Sequence, residues 1–126
     1  MALNILLVDD SNVVKAVLFK ILSKSSLPID KIYDAANGAE ALEVLESHRM
    51  DLVVADINMP VMDGVEMIEW MSADTRFNRI PVVVISTEGS SSRIDKLSNL
   101  GIKAYIRKPF SSEEIQTTFS EILGQS

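Results

Sequence analysis

Five short apolar runs punctuate this chain, and the stretches between them carry apolar residues every three or four positions. The runs are Leu3–Val8, Lys31–Asp34, Leu52–Ala55, Val82–Ile85 and Ala104–Ile106. Runs that are apolar at consecutive positions, rather than alternately, suit strands covered on both faces, as in a parallel sheet. The intervening segments predict five helices. Val14, Val17, Leu18, Ile21 and Leu22 share one face of the first. Asn37 can cap the second, with Glu40 three residues on and Leu42 and Leu45 turned inward. Met67, Ile68 and Met71 mark the third, and Ile94 and Leu97 the fourth, which stops at Gly101. A capping box of Ser111 and Glu114 precedes Ile115, Phe119, Ile122 and Leu123 in the fifth. "GSSSR" at 89–93 reads as a flexible helix entry. Trp70 and the six methionines mostly fit helix interiors. Strands alternating with helices predict an α/β domain built on a five-stranded parallel sheet with five helices.

At 126 residues the expectation is one domain spanning 1–126, long enough to bury a substantial core. No apolar run reaches the ~18–20 residues of a membrane span, and the N-terminus lacks a basic leader, so no membrane insertion is expected. The absence of cysteine excludes disulfides and thiolate metal sites, and is in keeping with a cytoplasmic location. A net charge of −6 argues against general attraction to nucleic acid or anionic lipid. Proteins and small ions are the expected partners.

Polar chemistry collects where the strands end. Asp9 and Asp10 end the first strand, Asp56 the third, Ser86 and Thr87 the fourth, and Lys108 follows the fifth. Asp and Ser are ordinary strand-ending residues, but four coincident ends are not explained by that habit. In open parallel sheets, binding groups gather beyond the carboxyl ends of the strands. Alternation sends Asp9 and Asp10 to opposite faces, yet the ladder loosens at the edge, where both can turn to one site. Two unit charges ~4 Å apart repel by about 4 kcal/mol at an effective dielectric near 20. Lys108 offsets one of the three carboxylates and leaves the cluster at roughly −2. A divalent cation would neutralise the rest, and all-oxygen ligands favour Mg²⁺, or Mn²⁺, over Zn²⁺. Such a site suits phosphate oxygens.

The ordered set "VDD", "DINMPVMDG", Ser after the fourth strand and "KPF" after the fifth resembles the receiver domain of two-component response regulators. The resemblance covers essentially the whole chain. It implies the CheY-like fold with strand order 2-1-3-4-5. It implies that a histidine kinase or phosphotransfer protein phosphorylates Asp56. Asp10, Asp56 and the backbone carbonyl of Asn58 would coordinate Mg²⁺, with Asp9 acting through bound water. Ser86 and Lys108 would contact the phosphoryl oxygens. Ser86 and Tyr105 match the switch positions, so that phosphorylation would remodel the face of the fourth helix, fifth strand and fifth helix toward a protein target. Asn58 and Glu88, two residues beyond Asp56 and Ser86, flank the approach of a hydrolytic water; this pair resembles that of chemotaxis regulators with a short-lived signal. Thr87 departs from the family, which usually has Ala or Gly there, and its bulk bears on phosphorylation by small donors.

Other residues read more plainly. His48 is expected on the surface, Met59 and Pro60 shape the loop after Asp56, and Asp63 with Gly64 begins a helix. Three functional classes stay open. The first is a stand-alone regulator that controls a protein partner; "ILGQS" directly after the fifth helix is expected to leave no room for an output domain. The second is the receiver module of a larger regulator or hybrid kinase. The third is a metal-dependent phosphatase with an Asp nucleophile, although such enzymes commonly need a second acid where this chain has Asn58. A flavodoxin-type FMN binder fits the fold but lacks a phosphate-cradling loop after the first strand.

Overall fold

The computed structural model describes residues 2–87 and 89–124. The elements run β1 (Leu3–Val8), α1 (Asn12–Ser23), β2 (Ile29–Ala35), α2 (Gly38–Ser47), β3 (Leu52–Ala55), α3 (Gly64–Ala73), β4 (Val82–Ser86), α4 (Ser91–Asn99), β5 (Ala104–Arg107) and α5 (Ser112–Leu123). All neighbouring strands pair in parallel, in the order β2-β1-β3-β4-β5. The predicted fold class and strand order are therefore those of the structure.

Consecutive apolar residues in β1 divide between two cores, which explains why its run does not alternate with polar residues. Leu6 and Val8 pack toward α2, α3 and α4, with Leu45, Met67 and Leu97. Ile5 and Leu7 pack toward α1 and α5, with Leu18, Leu22, Ile115 and Phe119. Each face of the sheet is thus roofed by helices, as parallel sheets require. Helix entry is set by side-chain oxygens that accept from the first turn: Ser11 from the Val14 N–H, Asn37 from Glu40, Asp63 from Glu66 and Ser111 from Glu114. Glu40 in turn accepts from the Ala36 N–H at 3.0 Å. Gly101 takes φ +92° just beyond α4, a conformation that favours glycine.

Three expectations need correction. β2 runs from Ile29 to Ala35 rather than Lys31–Asp34, because pairing with β1 satisfies its backbone on one side while several of its side chains stay in water. Val17 is 43% exposed, and Lys15 is buried instead. The inward positions of α1 fall at 15, 18, 21 and 22, and Lys15 can join them because its stem is apolar while its ammonium reaches the Ala35 carbonyl at 3.5 Å. Trp70 is 58% exposed: α3 spends its inner face on Met67, Ile68 and Met71, and position 70 lies off that face. The methionines also divide, since Met50 lies buried outside any helix and Met59 and Met62 pack from the loop between β3 and α3.

Gly64 fixes how closely α3 approaches the end of β3. Its N–H donates to the Ile57 carbonyl at 2.8 Å, and a Cβ added there would stand 2.1 Å from the Asp56 carbonyl oxygen. Backbone on both sides leaves little room to yield. Gly64→Ala should cost about 3 kcal/mol of stability by overpacking, read from urea unfolding. A loss below ~0.5 kcal/mol would show that α3 can shift freely away from β3.

Candidate functional site

The backbone ladder carries the first two aspartates into place. The Asp9 N–H donates to the Ala35 carbonyl and the Asp56 N–H to the Val8 carbonyl, each at 3.0 Å, so both residues continue the sheet by one step. At the other side, the Lys108 N–H donates to the Ser86 carbonyl at 2.9 Å and ties the end of β5 to β4. Val8, Ala55, Val84 and Tyr105 lie level across the sheet, so β4 and β5 run two residues past the ends of β1 and β3, and the Lys108 side chain meets the carboxylates beyond those ends.

Lys108 Nζ lies 3.0 Å from Asp9 Oδ2 and 3.1 Å from Asp56 Oδ2. The other oxygens of these two carboxylates accept backbone donors: Asp9 Oδ1 from the Ser11 N–H at 2.8 Å and Asp56 Oδ1 from the Ile57 N–H at 2.7 Å. Asp10 is exposed, yet it offers a carboxylate oxygen to the same place; ligand atoms of Asp9, Asp10 and Asp56 all lie within 4.8 Å of one another. Asp9 still belongs to the ladder, yet both adjacent aspartates bring a carboxylate oxygen to one place. Ser86 is fully buried at the end of β4, and Thr87 beside it is exposed. Asn58 is exposed on the loop after Asp56. That loop turns at Val61, which holds φ +69° while the Met62 N–H donates to Pro60 at 2.7 Å. Tyr105 is half-buried beside the core under α2, α3 and α4, on the strand register of Val84. Glu88 lies outside the described residues. His48 is on the surface as expected, with its ring centroid 4.5 Å from that of Tyr33.

Burial sets the electrostatics. Desolvation pushes the Asp9 carboxyl above its ordinary 3.8, helped by the Asp56 charge, against the Ser11 hydrogen bond and Lys108, which pull it down. For Lys108, burial works against the ammonium, but the hydrogen bonds and charges of Asp9 and Asp56 outweigh it and raise the group above its ordinary value. One lysine is therefore held firmly, while the carboxylates it serves remain short of positive charge. The donor set is all oxygen, concentrated and acidic, and fits a hard divalent cation such as Mg²⁺.

Two supporting residues carried little sequence signal. Ser11 both caps α1 and holds Asp9 through its backbone N–H; its type and its place three residues before Val14 mark only the cap. Gly64 reads as a helix start, and its contact under Asp56 appears only in three dimensions.

The family model of the response regulator receiver domain matches residues 5–120. The chain belongs to the response regulator receiver family. The chemotaxis protein CheY1 of Helicobacter pylori is 31% identical over 123 residues, covering 97% of this chain and 98% of the relative. Among solved structures, the receiver is similar to a phosphorylated cyanobacterial phytochrome response regulator, RcpA, with TM-score 0.89 and 26% identity over 100% of this chain and 97% of that one. It is also similar to the receiver domain of the sensor histidine kinase PA1611 from Pseudomonas aeruginosa, with TM-score 0.85 and 26% identity over 99% and 100% of the two chains. That structure is described with a magnesium ion coordinated in its active-site cleft. No helix among the described residues of the receiver is long and apolar enough to cross a membrane.

The raised Asp9 carboxyl has a consequence for stability. The folded receiver keeps this proton to higher pH than the unfolded chain, so ionisation above 3.8 works against the fold, and the loss is recovered as pH falls back through that window. With divalent cations chelated at neutral pH, Asp9→Asn should melt higher than the parent, and the gap should narrow as the pH is lowered toward 3.8. Melting at or below the parent at neutral pH would mean that Lys108 already compensates the Asp9 charge in full.

Proposed function

We propose that the receiver takes a phosphoryl group from a phosphohistidine donor onto Asp56 and transmits the change to a protein partner. The observation that carries this reading is the Lys108 ammonium shared between Asp9 and Asp56, with Asp10 alongside. In the transfer, a carboxylate oxygen of Asp56 attacks phosphorus, the P–N bond to the donor imidazole breaks, and an acyl phosphate forms. Asp10, Asp56 and the Asn58 carbonyl would hold Mg²⁺, with Asp9 contributing through water. When bound, the ion supplies neutralisation of the carboxylates and of the incoming phosphoryl oxygens. The chain's own residues do the positioning: the backbone ladder aims Asp56, and Lys108 keeps a positive charge beside its attacking carboxylate.

The product carries about two negative charges and three strong acceptors in place of one carboxylate. Ser86 and Lys108 are the donors that would answer it, and both are joined to β5 through the Lys108 N–H to Ser86 carbonyl bond. Movement of Ser86 opens space for the Tyr105 ring, two residues before the exposed Arg107 on the same strand. The α4, β5 and α5 face then becomes the output surface of a stand-alone, cytoplasmic, chemotaxis-type switch. The receiver catalyses only its own phosphorylation and dephosphorylation. A module within a larger kinase or regulator is the second reading, favoured by the likeness to the receiver of a sensor histidine kinase.

The metal assignment predicts weak Mg²⁺ binding that raises the melting temperature by mass action on the folded state. Asp10→Ala should abolish the increase and Asp9→Ala should weaken it. An equal increase in the parent and the double variant would place the ion elsewhere.

Phosphotransfer predicts one acid-stable, base-labile phosphate on Asp56 after incubation with Mg²⁺ and a cognate kinase, and none in Asp56→Asn. Lys108→Ala should still accept some phosphate yet lose the structural response, seen as unchanged amide shifts around Tyr105. Phosphate recovered on His48 or a serine would refute the assignment.

Signal lifetime is set, in this reading, by water reaching the acyl phosphate past Asn58 and Glu88. Asn58→Arg, or replacement of Glu88 by a long apolar residue, should slow the loss of radiolabelled phosphate after kinase removal. Each ~1.4 kcal/mol of lost transition-state stabilisation corresponds to about tenfold in rate. Decay unaltered by both substitutions at saturating Mg²⁺ would remove these side chains from the hydrolytic path.

A further inference from the structure

Away from the acidic cluster, a cavity of about 670 Å³ opens between α3 and α4, with Asp63, Glu66, Glu69 and Trp70 on one wall and Arg93 and Lys96 on the other. Two ion pairs cross it. Arg93 Nη2 stands 3.5 Å from Asp63 Oδ2, and Lys96 Nζ stands 2.9 Å from Glu69 Oε2. These pairs use both cations of the groove. Glu66 is exposed and, among the described residues, no cation pairs with it. With three acids against two bases, the groove keeps a negative charge.

Trp70 follows Glu66 by one helical turn, so the two side chains share a face of α3. The indole is 58% exposed and is the chain's one tryptophan. An open indole face with an unpaired carboxylate one turn away suits a guanidinium or ammonium, which can lie over the ring while its charge is compensated. Val65 and Ala73, which also line the groove, offer apolar surface to an aliphatic stem. Among the described residues no acceptor meets the buried Arg93 Nε, so a backbone carbonyl of an entering segment could take that donor while Arg93 Nη2 stays with Asp63.

We propose that the α3–α4 groove docks a basic, aliphatic segment of a partner protein, with an arginine or lysine over Trp70 and its charge against Glu66. Charge complementarity selects this occupant, because an acidic segment would meet an uncompensated carboxylate and two cations already engaged.

Trp70 is its own reporter. The probe is a short, acetylated and amidated peptide of alternating arginine and leucine, with the glutamate–leucine peptide as control, titrated at low salt. The proposal expects a saturable change in Trp70 emission with a sub-millimolar Kd for the basic peptide, and at least about tenfold weaker binding of the acidic one. By calorimetry, Glu66→Lys and Trp70→Leu, each shown by melting to be folded, should bind the basic peptide about tenfold more weakly than the parent. No saturable emission change up to about millimolar peptide would overturn the proposal. Affinities of both variants within about threefold of the parent would overturn it equally, by showing only general attraction to an acidic protein.

Discussion

The Lys108 ammonium, 3.0 Å from Asp9 and 3.1 Å from Asp56, is the contact on which the functional end of the sheet depends. At an effective dielectric near 20, a unit charge pair at this separation attracts by about 5 kcal/mol, before the cost of taking both groups out of water. For Lys108 the attraction to two carboxylates wins over burial. For Asp9 burial wins over a single shared lysine. The inequality is arithmetical: three carboxylates converge and one ammonium lies among them. The fold holds a local excess of negative charge that a hard cation would relieve, and the same cation would prepare the site for an anionic phosphoryl group.

What keeps the charges together is the sheet. Asp9 and Asp56 are each fixed by a backbone hydrogen bond one step beyond the strand, and Lys108 is fixed by the Ser86 carbonyl. Thirty apolar residues of the described chain are buried, including most of β1, β3 and β4, so the strands beneath cannot drift apart to relax the repulsion. Gly64 closes the remaining gap by letting α3 start directly against the Asp56 carbonyl. The site is thus strained electrostatically but rigid mechanically, which is the condition for a switch that answers to a change of charge.

Much of this was legible in the chain itself, because parallel strands covered on both faces leave an unusual signature. The runs at Leu3–Val8, Leu52–Ala55 and Val82–Ile85 mark strands within a residue of their structural bounds, and each hands over to a polar residue at the same end of the sheet. The aspartates and Lys108 could be read because charge placed directly after a buried run is costly unless it is used. Helix faces were less legible. Trp70 looks like a core residue by type, and only the positions of Met67, Ile68 and Met71 turn it outward. Lys15 looks like a surface residue by type, but the Ala35 carbonyl and the Asp34 carboxylate 3.6 Å away receive its ammonium at the end of an apolar stem. In both cases composition pointed one way and geometry decided the other. The role of Ser11 was hidden for a different reason, since its backbone rather than its side chain touches Asp9.

The most direct test of a shared cation site is to watch its carboxylates together. Side-chain carboxyl carbon-13 resonances of Asp9, Asp10 and Asp56 can be followed by NMR through a Mg²⁺ titration at constant neutral pH. The account predicts that all three move on one saturable curve while the exposed carboxylates of α5, Glu113 and Glu121, stay still. A resonance among the three that remains unmoved at saturation, or three curves with separate midpoints, would contradict the claim that these strand ends form one site.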